Sequence, residues 1–150
     1  MRAVIQRVSH AEVRIQGKVS GSIEQGLMIL LGVEHEDTEE DLKWLARKTG
    51  EMRIFSDADG LMNLSLIDVD GEALVVSQFT LHAKYKKGKR PSFIRAAKPD
   101  QAVPMYEQFA KELGSYLNKP VQTGEFGADM QLELVNEGPV TMVLDTKNKE

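Results

Sequence analysis

Gly26-Leu27-Met28-Ile29-Leu30-Leu31-Gly32-Val33 is an unbroken apolar run. A strand with one wet face alternates apolar and polar residues. A continuous run does not, so this stretch predicts a strand covered on both faces. Ala73-Leu74-Val75-Val76-Ser77-Gln78-Phe79-Thr80-Leu81 reads as a second strongly buried strand, ending in polar residues. Around these, Ala3 to Val8 is β-rich, Ser9-His10 reads as a turn, and Ala11 to Ile15 alternates with period 2. Gln16-Gly17-Lys18 is a turn from which Val19 to Ile23 pairs back as a hairpin.

Two helical stretches follow. Asp37 with Glu40 has capping-box spacing, and Glu39, Glu40 and Asp41 precede Arg47 and Lys48 in the sense the helix dipole favours. Leu42, Leu45 and Ala46 form the apolar stripe, with Trp44 expected in core packing, and Gly50 is the expected stop. Met52 to Phe55 then reads as a strand and Asp57-Ala58-Asp59-Gly60 as a turn. A second helix is predicted from near Asp100. Its apolar face is Ala102, Met105, Tyr106, Phe109, Leu113, Tyr116 and Leu117, and Pro104 is tolerable only in its first turn. Val121–Thr123, Met130–Val135 and Val140–Leu144 are the closing strands. Many strands with two main helices predict an α/β, layered, single-domain fold. Residues 1–145 form that domain, and 146–150 a frayed polar tail.

At 150 residues the chain can bury a full core without staples. Its 41% hydrophobic and 28% charged residues are ordinary for a globular protein. The absence of cysteine excludes disulfides, a thiolate nucleophile and sulfur-based zinc sites. His10, His35 and His82 lack zinc-hydrolase spacing, so no metal is expected; His10 reads as structural. No P-loop, G-x-S-x-G elbow or post-strand G-x-G-x-x-G is present, and no cofactor is expected. No signal-peptide core or membrane-length apolar run is present, which predicts a cytoplasmic protein with no membrane partner.

Three segments can carry function. Ser77-Gln78-Phe79-Thr80 brings hydroxyls, an amide and backbone N–H groups to the end of a buried strand; it reads as an oxyanion-binding turn or as a strand-ending turn. Asn136-Glu137-Gly138-Pro139-Val140-Thr141 holds an X-Pro bond, where cis is accessible, after a side-chain-free residue; an ordinary hairpin turn is the other reading. Between His82 and Lys98 stand Lys84, Lys86, Lys87, Lys89, Arg90, Arg95 and Lys98, with Tyr85 and Phe93 and no acid, in a chain of net charge −4. Phosphate backbone is the natural partner of such a stretch, and a solvated loop is the alternative. Glu34 to Asp41 reads as an acidic, solvated helix start.

The Ser77-Gln78-Phe79-Thr80 and Asn136-Glu137-Gly138-Pro139-Val140-Thr141 motifs, together with Phe126-Gly127-Ala128-Asp129-Met130 and the opening Met1 to Val8, resemble the D-aminoacyl-tRNA deacylase family. The resemblance extends over residues 1–145. It implies a three-layer α/β/β homodimer, partnered with aminoacyl-tRNA and not with DNA. The implied reaction is hydrolysis of the ester of D-aminoacyl-tRNA, and of glycyl-tRNA mischarged on tRNA-Ala, with L-aminoacyl-tRNA rejected. It also implies that Gly138-Pro139 is cis and enters the partner subunit's site, where main chain, stiffer than any side chain, refuses the L-isomer. Ser77, Gln78, Phe79 and Thr80 are then catalytic, with the Phe79 and Thr80 N–H groups as oxyanion donors. Thr80 as nucleophile remains open beside attack by water. His82, Lys84, Lys86 and Lys87 are expected to bind the tRNA end. Phe126 and Met130 are expected against its terminal adenosine, or alternatively in the core. A non-catalytic RNA-binding module is the competing reading.

Overall fold

Strand β1 (Arg2–Ile15) pairs along both of its edges. In the computed structural model, which describes residues 1–150, one edge meets β2 (Lys18–Ile23) and β3 (Gly26–Gly32), both antiparallel. The other edge meets β8 (Gln131–Asp145). β3 pairs in parallel with β6 (Glu72–Ser77), and β6 with β7 (Gln122–Thr123). Parallel neighbours need a crossover, and here the crossovers carry α1 (Glu39–Glu51) and α2 (Pro99–Leu117). The short strands β4 (Phe55–Ser56) and β5 (Met62–Leu64) form a separate hairpin.

Two cores lie on opposite sides of the central strands. Ile5, Leu27, Ile29, Leu31 and Val75 face the helices, against Leu42, Leu45, Phe109 and Leu113. Val8, Val13, Ile23, Met28, Leu74 and Val76 fill the second core, with Leu132 and Leu134 of β8 packed against it. Met28 faces one core and Leu27 and Ile29 the other, as the unbroken apolar run requires. The result is the expected α/β/β layering with more strand than helix.

The local details depart from the sequence pattern in instructive ways. Ser9-His10 is not a turn, because β8 pairs through it: His10 stands opposite Val135. Met130–Val135 and Val140–Leu144 are not two strands joined by a hairpin turn. They are parts of the single strand β8, which bulges so that Glu137 to Val140 stand opposite Arg7 alone. Strand β6 stops at Ser77, and Phe79–His82 forms a 3-10 turn. Met52–Ile54 is not strand; pairing begins at Phe55.

The helix ends also shift. The N-cap of α1 is Thr38, in a reciprocal box with Asp41. Asp37 is not available for that role, since its carboxylate takes the Glu34 N–H at 2.8 Å and the Met1 amine. Gly50 lies inside α1, buried, and Met52 is the C-cap. Because α2 begins at Pro99, Pro104 falls in the second turn and deprives the helix of one N–H donor. The C-terminal residues are tied down, not frayed. Thr146 is buried, and its hydroxyl accepts from the Met1 amine at 2.7 Å. Lys147 pairs with Asp41 at 2.7 Å, and the Lys149 ammonium sits 4.4 Å from the centre of the Trp44 ring.

The expected acidic, solvated face holds in part: Glu36, Glu39 and Glu40 are exposed, but the other three acids are not. Glu34, Asp37 and Asp41 are all buried and all paired. Burial works against ionisation of Asp41, but hydrogen bonds from Lys147 and Thr38 outweigh it and hold the carboxyl well below its usual range. Glu34 Oε2 receives both Nε and Nη2 of Arg95, at 3.1 and 2.6 Å. His82, 1% exposed, lies with Nδ1 3.9 Å from Glu34 Oε1, and neither ring nitrogen has a hydrogen-bond partner.

Burial pushes the His82 imidazole below its ordinary value of 6.5, opposed by the Gly32 backbone and by Glu34. Above that value both folded and unfolded chains hold the ring neutral. Below it the unfolded chain takes up a proton that the folded chain resists, so stability falls as pH drops, by up to ~1.4 kcal/mol per pH unit. Urea unfolding between pH 7 and 5.5 is expected to give a shallower pH slope for His82→Gln than for the parent chain. Identical slopes would refute this assignment.

Candidate active site

The end of β6 is shaped by what lies beside it. Gln78 N–H donates to Leu31 O at 2.8 Å, closing the ladder, and the chain then folds back over the end of β3. Gly32 permits that approach: a Cβ there would sit 3.0 Å from Gln78 O and 3.1 Å from the His82 ring. The first bond of the turn runs from Leu81 N–H to Gln78 O at 3.3 Å. The N–H groups of Phe79 and Thr80 precede that bond and have no acceptor within the turn. Arg2 holds the far end of the turn, donating to Leu81 O at 2.9 Å. Within it, the Gln78 amide donates to the Thr80 hydroxyl at 2.5 Å.

Beside this turn lies a cleft of about 290 Å³. Ser77, Gln78 and Phe79 form one wall, and Phe126, Met130 and Leu132 the other. Phe126 packs edge-on against Tyr106 with ring centres 6.2 Å apart, so its other surfaces remain free for the cleft. Phe126 and Met130 are both half-buried and both packed against the cores. Each side chain thus lines the cleft with one surface and packs against a core with another. The walls are chiefly apolar, with polar groups concentrated at the β6 end, the arrangement of a small-molecule site. A larger groove between α1 and α2, lined by Lys43, Trp44, Arg47 and Glu112, is distant in sequence from these motifs.

Gly138-Pro139 is cis, and both residues are exposed. Gly138 has φ +126°, which L side chains rarely adopt. The dipeptide is not part of the cleft of its own chain. It is held from beneath by Arg7, whose Nε donates to Glu137 O at 3.2 Å and whose Nη1 donates to Ile54 O at 2.7 Å. Asn136 braces the bulge by donating to Arg7 O and Val140 O, both at 2.9 Å.

Arg7 was not singled out in the sequence, although a signal exists. It shares the face of Ala3 and Ile5, so a charge falls on the core side of an alternating strand. Glu34 gives no such signal.

The basic stretch divides. Lys84, Lys86, Lys87, Lys89 and Arg90 are exposed. Arg95 is committed to Glu34. His82 is buried behind the turn, so it does not present its ring to a ligand as expected; the chain reverses just after it. Of the expected residues, then, Ser77, Gln78, Phe79, Phe126 and Met130 share one cleft. Thr80 stands beside it, and Gly138-Pro139 projects elsewhere. No three His, Asp or Glu side chains converge as metal ligands, and no helix is long and apolar enough to cross a membrane.

The sequence pattern of the D-Tyr-tRNA(Tyr) deacylase family matches residues 4–145. A D-aminoacyl-tRNA deacylase of Akkermansia muciniphila is 61% identical over the full length of both chains. Among solved structures, a c-Myc DNA Unwinding Element Binding Protein superposes with TM-score 0.91 at 39% identity, covering 97% of this chain and 98% of the other. A chain described as a probable eukaryotic D-amino acid tRNA deacylase, 18% identical, shares the fold alone, with TM-score 0.83 over 95% of this chain and 97% of that one. With a family match that spans nearly the whole chain and a relative 61% identical over its full length, this protein belongs to the D-Tyr-tRNA(Tyr) deacylase family.

Proposed function

We propose that the cleft beside the Ser77–Thr80 turn hydrolyses the ester joining a D-amino acid, or glycine, to the terminal adenosine of tRNA, including glycyl-tRNA mischarged on tRNA-Ala. The observation that carries this reading is the pair of Phe79 and Thr80 N–H groups left without an acceptor in the turn, at the edge of a mostly apolar cleft. Adenine fits against Phe126 and Met130, which brings the ester to the end of β6. Water adds to the ester carbonyl, and the negative oxygen of the tetrahedral species accepts from the two N–H groups. The C–O bond to the ribose then breaks, and the ribose oxygen takes the proton that the attacking water gives up. One well-placed oxyanion donor contributes roughly 3–4 kcal/mol to such a step.

Thr80 serves to position, not to attack. Its hydroxyl is bonded by the Gln78 amide, not by a base that would remove its proton. Thr80→Ala is therefore expected to retain measurable hydrolysis of D-tyrosyl-tRNA. Trapping an acyl group on Thr80 after acid quench would overturn this.

Stereochemistry is read by main chain. Enantiomers share size, charge and hydrophobicity, so only the direction of Cβ separates them. In this proposal Gly138-Pro139 of one subunit closes the cleft of its partner in a homodimer. Its support is that the dipeptide is exposed, lies outside its own cleft and is anchored by Arg7. The same reading places the enzyme in the cytoplasm with aminoacyl-tRNA as partner. The exposed lysines from Lys84 to Lys89 serve the phosphate backbone.

A non-catalytic nucleic-acid-binding module is the second reading. It rests on those same lysines and on the DNA-element name that one structural relative bears. Matched assays on D- and L-tyrosyl-tRNA decide between the two, since only the first predicts release of D-tyrosine. In Gly138→Ala the new Cβ lies 3.0 Å from Arg7 Nη2 and from Val140 Cγ2, at a φ that disfavours it. The bulge must shift, and the preference for D over L is expected to fall about tenfold or more, the equivalent of ~1.4 kcal/mol. Unaltered rejection of L-tyrosyl-tRNA would end the main-chain account.

A further inference from the structure

Tyr85 is 81% exposed, although it is a large aromatic residue next to a strand-like pairing. Lys84 N–H donates to Ser92 O at 2.8 Å and Ser92 N–H to Lys84 O at 2.9 Å. This reciprocal pair closes residues 85–91 into a finger with a fixed base. The base is also joined to the candidate active site, because Phe93, one residue beyond Ser92, packs edge-on against Phe79 with ring centres 5.0 Å apart. The finger carries Lys86, Lys87, Lys89 and Arg90, all exposed, and no acid occurs from His82 to Lys98. A chain with a net charge of −4 thus places an unpacked aromatic ring among concentrated positive charge, beside the turn that receives the ester.

We propose that the finger is a binding site for the single-stranded 3′ end of tRNA, in which Tyr85 stacks on an unpaired nucleobase upstream of the terminal adenosine while the surrounding cations hold its phosphates. The proposal rests on the hydrolase reading for the identity of the RNA. Lysines alone recognise phosphate, and phosphate occurs equally in duplex and single strand. The ring adds a different requirement. The faces of paired bases are covered by their neighbours in the stack, so a tyrosine face finds a partner only where bases are unpaired. The flat ring also tolerates any base, which suits a site that must take tRNAs regardless of the amino acid they carry. A protein partner is disfavoured by the charge: such a surface would need four or more cations neutralised around one aromatic contact.

Direct binding separates ring from charge. The probes are an uncharged tRNA and the same tRNA trimmed of its unpaired 3′ nucleotides, titrated at several salt concentrations. Tyr85→Ala is expected to weaken binding of intact tRNA about tenfold. The slope of log K against log salt stays unchanged, because no phosphate contact is lost. Tyr85→Phe is expected to match the parent chain, and Tyr85→Ala to leave the trimmed RNA unaffected. A Lys86→Ala, Lys87→Ala double variant is expected to reduce the salt slope by roughly 1.4 on intact tRNA and to change it little on the trimmed RNA. Equal binding of intact tRNA by Tyr85→Ala and the parent chain, or equal losses on intact and trimmed RNA, would overturn the stacking site. These readouts are independent of turnover. Hydrolysis of D-tyrosyl-tRNA with Tyr85-independent binding refutes the stacking alone, and Tyr85-dependent binding without hydrolysis refutes the catalytic reading alone.

Discussion

The two-sided pairing of β1 is the constraint on which the remaining structure depends. One strand of fourteen residues supplies ladder partners to β2, β3 and β8. Since every main-chain N–H and C=O in a buried strand must find a partner, the length of β1 dictates the length of β8. It also dictates that any extra residue in β8 must leave the ladder. Glu137 to Val140 do so opposite Arg7. The exposed Gly138-Pro139 dipeptide is thus a product of register: a place where one strand carries more residues than its partner can pair.

Charge inside the fold reinforces this geometry. Burying an ion is costly unless it is paired and hydrogen-bonded, and four of the buried ions here join segments far apart in sequence. Arg7 joins β1 to Ile54 and Glu137. Asp37 joins the segment before α1 to the Met1 amine, and Asp41 joins the first turn of α1 to Lys147. Glu34 takes Arg95 from the far end of the basic stretch and lies against His82 behind the candidate catalytic turn. Hydrophobic contact alone would tolerate some sliding between these segments; hydrogen bonds of fixed direction do not.

The chemistry that this scaffold supports is built from main chain. The proposed oxyanion donors are backbone N–H groups left without an acceptor where β6 gives way to a tighter turn. The proposed stereochemical filter is a dipeptide with little side chain. Main-chain groups are positioned by secondary structure and by packing, so the activity needs few distinctive side chains. The usual marks of a hydrolase, a base beside a nucleophile or a cluster of metal ligands, are correspondingly missing from the sequence.

The buried central strands could be read directly from residue order, because two-sided burial leaves an uninterrupted apolar run in Gly26–Val33 and Ala73–Val76. The α/β layering, the apolar faces of both helices and the polar end of β6 followed from the same kind of local periodicity. The motifs at Ser77–Thr80 and Gly138-Pro139 stood out as short patterns that could be compared with a known family. Tertiary structure decided what depended on partners distant in the chain: that Ser9-His10 continues a strand, that Glu137 to Val140 form a bulge and not a hairpin turn, and that Thr38 and not Asp37 caps α1. It also decided that Glu34, Arg7 and His82 are buried. A residue's local preference is worth only a fraction of a kcal/mol up to about one. A ladder hydrogen bond, a buried ion pair or a filled core contact is worth as much or more, and its partner cannot be found by reading neighbours.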